Sequence, residues 1–119
     1  MRILQGGILE QYVPSLELAH ACKHLRADVN LYLSDESALT LAKVDDLILS
    51  RARPEGIEGA IARMEEASSG TRAKRSPIEV RATEDGFVVL DGNSTVVILH
   101  AIGVTSVPVK LATGSSLQR

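Results

Sequence analysis

The sequence predicts an α+β fold with a helical N-terminal extension, on three observations. Ile57, Ala60, Ile61, Met64 and Ala67 recur at the i, i+3, i+4, i+7 spacing of a helix with one buried face. Ile78 to Ala82 and Phe87 to Leu90 read as strands on either side of a Glu84-Asp85-Gly86 turn. Leu16, Leu18, Ala19, Ala21, Cys22 and Leu25 form a broad apolar stripe near the start. With 119 residues, the chain fits one domain around a single core.

The elements follow in order. Pro14 suits the first position of a helix that the polar Arg26-Ala27-Asp28 segment stops. Val29 to Leu33 alternates apolar and polar and is expected to be a short strand. Ser34-Asp35-Glu36-Ser37 offers capping oxygens and acidic first-turn residues to a second short helix through Ala38, Leu39, Leu41 and Ala42. Residues 1–43 are thus expected to form a helical extension. Val44 to Leu49 is expected to be a strand, and a connector with Arg51, Arg53, Pro54, Glu55 and Gly56 leads to the helix at 57–67. A basic loop, Thr71 to Pro77, precedes the two strands already named. The stretch after Leu90 supports two readings. Asp91-Gly92 suits a tight hairpin turn with Val96-Val97-Ile98 returning as a strand. Equally, Asn93 or Ser94 suits an N-cap, with Thr95 to Ile102 a buried helix ended by Gly103. Ser106 to Leu111 alternates and carries Pro108, which suits an edge strand. Residues 113–119 have no apolar pattern and are expected to form a flexible tail.

Composition narrows the function classes. The charged share of 24% and the apolar share of 45% exclude a disordered chain and a collagen-like repeat. A single Cys makes no internal bridge and points to a reducing compartment, hence the cytoplasm. The apolar run around Val96 to Leu99 is far short of the ~20 residues that span a bilayer, so no membrane partner is expected. Gln5, Gly6, Gly7 and Glu10 interrupt any signal-peptide core. The net charge of -2 argues against a protein that coats nucleic acid, though not against a local basic patch. Tyr12, Tyr32 and Phe87 are the whole aromatic supply, too few for a base-stacking platform.

Taken together, the segments acquire a recognisable order. A strand runs into an Arg-bearing connector at residues 44–53, and Gly56 to Ala60 opens a helix. Pro77-Ile78-Glu79-Val80, then Val89-Leu90-Asp91-Gly92-Asn93-Ser94-Thr95, Ala101-Ile102-Gly103 and Ser106-Val107-Pro108-Val109 follow. This set, covering residues 44–112, resembles the ParB/sulfiredoxin superfamily, in particular the ParB N-terminal domain. The resemblance implies a small mixed sheet with packed helices and makes the segment after Gly92 a helix. It also implies that a Gly-containing turn delivers phosphates to that helix's N-terminus, where free N–H groups and the positive end of the dipole meet the anion.

Members of the superfamily use this position differently. ParB proteins bind a cytidine nucleotide, sulfiredoxin binds ATP and attacks with a motif Cys, a related serine kinase transfers phosphate, and some relatives are nucleases. The implied ligand is therefore CTP or ATP with Mg²⁺, or DNA, in a nucleotide hydrolase, nucleotide-dependent switch or nuclease of plasmid or mobile-element DNA transactions. A protein partner or a second copy of the chain also fits. The implied nucleotide-binding residues are Gly92, Asn93, Ser94 and Thr95, with Arg51 and Arg53 from the connector.

The sequence departs from the pattern at three points. Asn93 holds the place of sulfiredoxin's Cys, and Cys22 lies outside the matched region, which speaks against sulfiredoxin chemistry. The Arg that follows the turn is replaced by Thr95-Val96-Val97, so a bidentate phosphate contact is missing. Its charge has to come from Arg51 and Arg53, or from Arg72, Lys74 and Arg75, which are also the candidate nucleic-acid contacts. A partition ParB carries a helix-turn-helix after this domain, and none follows before Arg119.

Asp91 is the candidate metal ligand or general base, against the plainer role of ordering a Gly turn. Glu55 is the second candidate carboxylate, against the plainer role of complementing a helix dipole. The basic loop has its own plain alternative, a solvated charge run. His20 and His24 stand four apart, but Ala21 follows His20 where a metalloprotease has Glu, and no third ligand is evident, so no metal site is expected. His100 is expected in the core or at a cap. Where fold is kept and chemistry lost, the alternative is a non-catalytic adaptor that binds DNA or protein. With so few rings, any nucleotide is expected to be held mainly by its phosphates.

Overall fold

Val96, Val97, Ile98 and Leu99 are all 1% exposed or less, so the helix that carries them is apolar all round and central to the fold. This helix, Asn93–Ala101, is the last of three in a mixed α+β domain seen in a computed structural model that describes residues 1–112. The elements in chain order are β1 Arg2–Gln5, β2 Ile8–Gln11, α1 Leu16–Ala21, β3 Thr40–Lys43, β4 Leu47–Leu49, α2 Ile57–Ser69, β5 Ile78–Thr83, β6 Gly86–Asp91, α3 Asn93–Ala101 and β7 Ser106–Leu111. The seven strands make one sheet in the order β2-β1-β4-β6-β5-β7-β3. The β1/β4, β4/β6 and β5/β7 pairs are parallel, and the β1/β2, β5/β6 and β3/β7 pairs antiparallel. Helix α3 packs against α2 and α1, and its apolar residues join Leu47, Leu49, Ile78, Val80, Val89, Val107 and Val109 in the main core.

The middle and end of the chain follow the sequence pattern closely. The helix, the hairpin around Glu84-Asp85-Gly86, and the strand at 106–111 all form. The open choice after Gly92 resolves as helix, with one shift: Gly92 is the N-cap and Asn93 already lies inside the helix. The strand expected over Val44 to Leu49 is shorter, a 3-10 turn at Val44–Asp46 followed by β4. Strand β7 is internal rather than an edge, lying between β5 and β3. Pro108 pairs with Leu41 of β3 and stands one residue before the first β5 pair, Ile78 with Val109, so it lies outside the β5 register.

The N-terminal third corrects the expected helical extension. Residues 1–43 supply three of the seven strands, and only Leu16–Ala21 is α-helix. Gly6 and Gly7, at φ +58° and +80°, form the two-residue turn of a hairpin whose strands pair Gln5 with Ile8 and Arg2 with Gln11. Ser15, not Pro14, starts α1, its hydroxyl accepting from the Leu18 N–H at 3.1 Å. Val29–Leu31 is a 3-10 turn capped by Asp28, not a strand. The second expected helix is strand β3 instead. Leu41 and Lys43 are exposed while Ala42 between them is buried, an alternation that suits a sheet, and the Leu39 N–H donates to the Val109 carbonyl at 2.7 Å. Pairing with β7 outweighs the local capping signal at Ser34 to Ser37. The tail expected at 113–119 lies outside the described residues.

Candidate functional site

A cleft of about 640 Å³ opens at the N-terminus of α3. It exists because parallel strands β4 and β6 end side by side, and each chain turns away there: β4 into the Arg51-to-Glu55 connector, β6 through Gly92 into α3. The lining joins Arg51, Arg53 and Glu55 from that connector, Arg63 from α2, Arg75 from the basic loop, and Asp91 to Thr95. Four guanidiniums thus face two carboxylates in a chain whose net charge is -2.

Gly92 sets the direction of the turn. Its φ is +108°, and a Cβ there would lie 2.8 Å from Ile78 Cδ1 and 3.1 Å from an Arg75 guanidinium nitrogen. Only glycine meets both the backbone angle and the space. A glycine N-cap has no side-chain oxygen to offer, and the first bond of the helix runs from Val96 N–H to the Gly92 carbonyl at 2.9 Å. The N–H groups of Asn93, Ser94 and Thr95 therefore have no intrahelical partner.

The first turn of α3 has two different sides. Asn93 is 4% exposed and fully engaged: its Oδ1 accepts from the Ser50 N–H at 2.9 Å, and its amide donates to Ser50 Oγ at 3.0 Å. Ser50 Oγ in turn donates to the Val89 carbonyl at 2.6 Å. The Asn93 side chain thus fastens α3 to the end of β4, and its backbone N–H is what it presents at the start of the helix. Ser94 is half-buried at the rim, close enough to Gly56 that a Cβ on that glycine would lie 2.6 Å from the Ser94 hydroxyl. Thr95 is 6% exposed, and its hydroxyl bonds to no described residue.

Arg75 lies against the Gly92 turn. Its guanidinium donates to the carbonyls of Ser76 and Pro77 at 3.0 and 3.2 Å and pairs with Asp91 at 3.0 Å. Its backbone is held as well, the N–H donating to the Tyr32 carbonyl at 3.0 Å and the carbonyl accepting from Ser34 N–H at 2.8 Å. The basic loop consequently splits. Arg75 belongs to the cleft, Arg72 pairs with Glu66 at the end of α2 at 2.6 Å, and Lys74 is exposed and does not line the cleft.

Of the sequence candidates, the cleft gathers Asp91, Glu55, Gly92, Asn93, Ser94, Thr95, Arg51, Arg53 and Arg75. Two contributors were not foreseen. Arg63 carries no motif, and only the position of α2 over the cleft reveals it. Ser50 could have been suspected as the polar residue ending an apolar strand. Elsewhere, His24 pairs with Glu65, and His100 stands in the last turn of α3. Cys22 is fully buried, its thiol donating to the Leu18 carbonyl at 3.1 Å, and burial pushes its pKa up, so the reactive thiolate is disfavoured.

No family model, curated protein or solved structure matches this chain. Among the described residues no helix is long and apolar enough to cross a membrane. The functional reading therefore rests on the cleft itself.

Proposed function

We propose that the chain is a ParB/sulfiredoxin-like domain that binds the phosphate groups of a nucleotide or nucleic acid in this cleft. One observation carries the reading: the uncapped N-terminus of α3 and four guanidiniums converge on the same space. Unpaired N–H groups at a helix start and arginine forks are the two protein devices that best match a phosphate, one by dipole and one by bidentate geometry. The Gly92 turn between a strand and a buried helix is also the arrangement the family resemblance implies, with Arg75 supplying the charge that Thr95-Val96-Val97 lacks.

Binding is better supported than hydrolysis. Asp91 is engaged in orienting Arg75, which leaves Glu55 as the cleft carboxylate without an ion pair among the described residues. Mg²⁺ bound to a nucleotide needs only one or two protein carboxylates beside the phosphates, and Glu55 and Asp91 are those available.

The test is calorimetric titration with CTP, ATP and a short DNA duplex, with and without Mg²⁺, on the native protein and on Ser94→Asp. An Asp in the first turn favours the helix, so that variant folds while repelling phosphate. Nucleotide binding at low salt that weakens as salt rises, and is lost in Ser94→Asp, is the expected result. Absence of binding by all three ligands at low salt refutes the proposal. DNA binding that survives Ser94→Asp but falls with Lys74→Ala moves the site to the basic loop.

A further inference from the structure

A second cavity, of about 170 Å³, adjoins the cleft and shares Arg63, Arg75 and Thr95 with it. Its other walls are mostly apolar. Ala60, Met64 and Ala67 come from one face of α2, at i, i+4 and i+7, Tyr32 and Leu33 from the N-terminal segment, and Ala73 beside Arg72 from the basic loop. Alanine at 60 and 67 keeps the space open, since a longer side chain at either position would fill it.

Three features tie this space to a ligand. Cavities that hold an entire drug-sized molecule run to roughly 300–1,000 Å³, so 170 Å³ suits one ring-sized group of a ligand whose remainder lies elsewhere. Thr95 borders both cavities, and its hydroxyl is without a partner among the described residues although the side chain is more than nine-tenths buried. No buried side-chain polar atom is left unpaired among the described residues, so this hydroxyl is the part of Thr95 open to the cavities, where it can bond a group that enters them. Finally, Arg63 and Arg75 stand at the shared border, where a guanidinium can bond a phosphate and lie flat against a ring.

We infer that the site takes a compact phosphate ester whose single ring-sized apolar or aromatic group enters the second cavity while its phosphate meets the first turn of α3. The inference rests on the phosphate-binding reading and narrows it, because an extended nucleic-acid backbone has no use for a largely apolar recess beside each phosphate. It also gives residues 1–43 a part in the site. Tyr32 and Leu33 wall the recess, and backbone bonds between Arg75 and residues 32 and 34 hold that wall against the loop.

Titration with inorganic phosphate and with phenyl phosphate at low salt tests this. Phenyl phosphate is expected to bind roughly tenfold more tightly or better, as filling an apolar pocket commonly gives. Ala67→Leu, which fills the recess from α2, should remove that preference and leave inorganic phosphate unchanged. Ala73→Leu fills it from the loop and provides the same readout without altering the helix. Equal binding of the two probes to the native protein overturns the inference while sparing the phosphate site, as does a preference that survives both variants. Failure of both probes to bind overturns the phosphate-binding reading as well.

Discussion

The two sides of the first turn of α3 differ in how completely their polar groups are satisfied. Asn93 and Thr95 are the two buried polar side chains of the described core, two residues apart on one helix. Toward β4, Asn93 saturates Ser50 and is saturated by it. Toward the cleft, the Thr95 hydroxyl and three backbone N–H groups are open. The difference shows how a small domain holds receptive donors in place: one face of the turn is locked so that the other can stay unpaired without drifting. Donors fixed in advance lose little entropy when an anion arrives, which is what makes such a turn a binding device rather than a frayed helix end.

The sharpest way to break the closed side is Gly92→Ala. The new Cβ meets Ile78 and Arg75 at a backbone angle that non-glycine residues avoid, so a loss of about 3 kcal/mol in unfolding free energy is expected. Chemical denaturation measures it. A stability within experimental error of native would mean that the turn relaxes easily and that the fixed geometry of the donors is not real.

Asn93→Ala attacks the same side from within. It removes two part-buried hydrogen bonds to Ser50, each worth about 1 kcal/mol, for a cost of about 2 kcal/mol. The melting temperature should drop by roughly 8 °C. Phosphate affinity should also fall, although Asn93 itself is expected to touch no ligand with its side chain. Unchanged affinity at a temperature where the variant is fully folded would separate the fastener from the site.

How much of this was legible beforehand depended on whether the deciding interaction was local. Helix α2 announces itself because its buried face is written at helical spacing, and the β5–β6 hairpin because its turn residues sit between two β-branched runs. The Gly92 turn was readable as a special position for the same reason. By contrast, Thr40–Lys43 carries helix-like capping residues upstream and becomes a strand only because β7 offers it an edge, some sixty residues away in sequence. The hairpin at Gly6-Gly7 was visible in principle, since two glycines between apolar runs mark a tight turn. In the site, residues joined by the chain, Asp91 to Thr95, could be grouped from sequence. Arg63 could not be added without the topology, and the bonds of the Asn93 side chain to Ser50 are not legible, because a polar residue after a glycine turn looks the same whether it faces a ligand or the core.

On the open side, Arg63→Ala removes one of the four cleft guanidiniums from an exposed helix position. Unfolding free energy should stay within about 0.5 kcal/mol of native, as for most surface changes. Affinity for nucleotide or inorganic phosphate at low salt should fall roughly fivefold to tenfold, the range of a single charge-assisted contact. The salt dependence should become shallower, because fewer ions are exchanged on binding. A stability loss with unchanged affinity would reverse the assignment of this residue.

Thr95→Val is the gentlest change and the one that bears most directly on the contrast between the two buried polar residues. Valine nearly matches threonine in shape, so the helix and the cavity walls are preserved and only the hydroxyl is lost. Since that hydroxyl bonds to no described residue, stability should be equal to native or slightly higher, unlike the result for Asn93→Ala. Affinity for phenyl phosphate should fall roughly threefold to tenfold, the size of one neutral hydrogen bond. Denaturation and titration on the same preparation give both numbers. A variant that loses stability as Asn93→Ala does would show that the Thr95 hydroxyl is a second fastener, and Ser94 would then be the side chain with which the first turn of α3 meets a ligand.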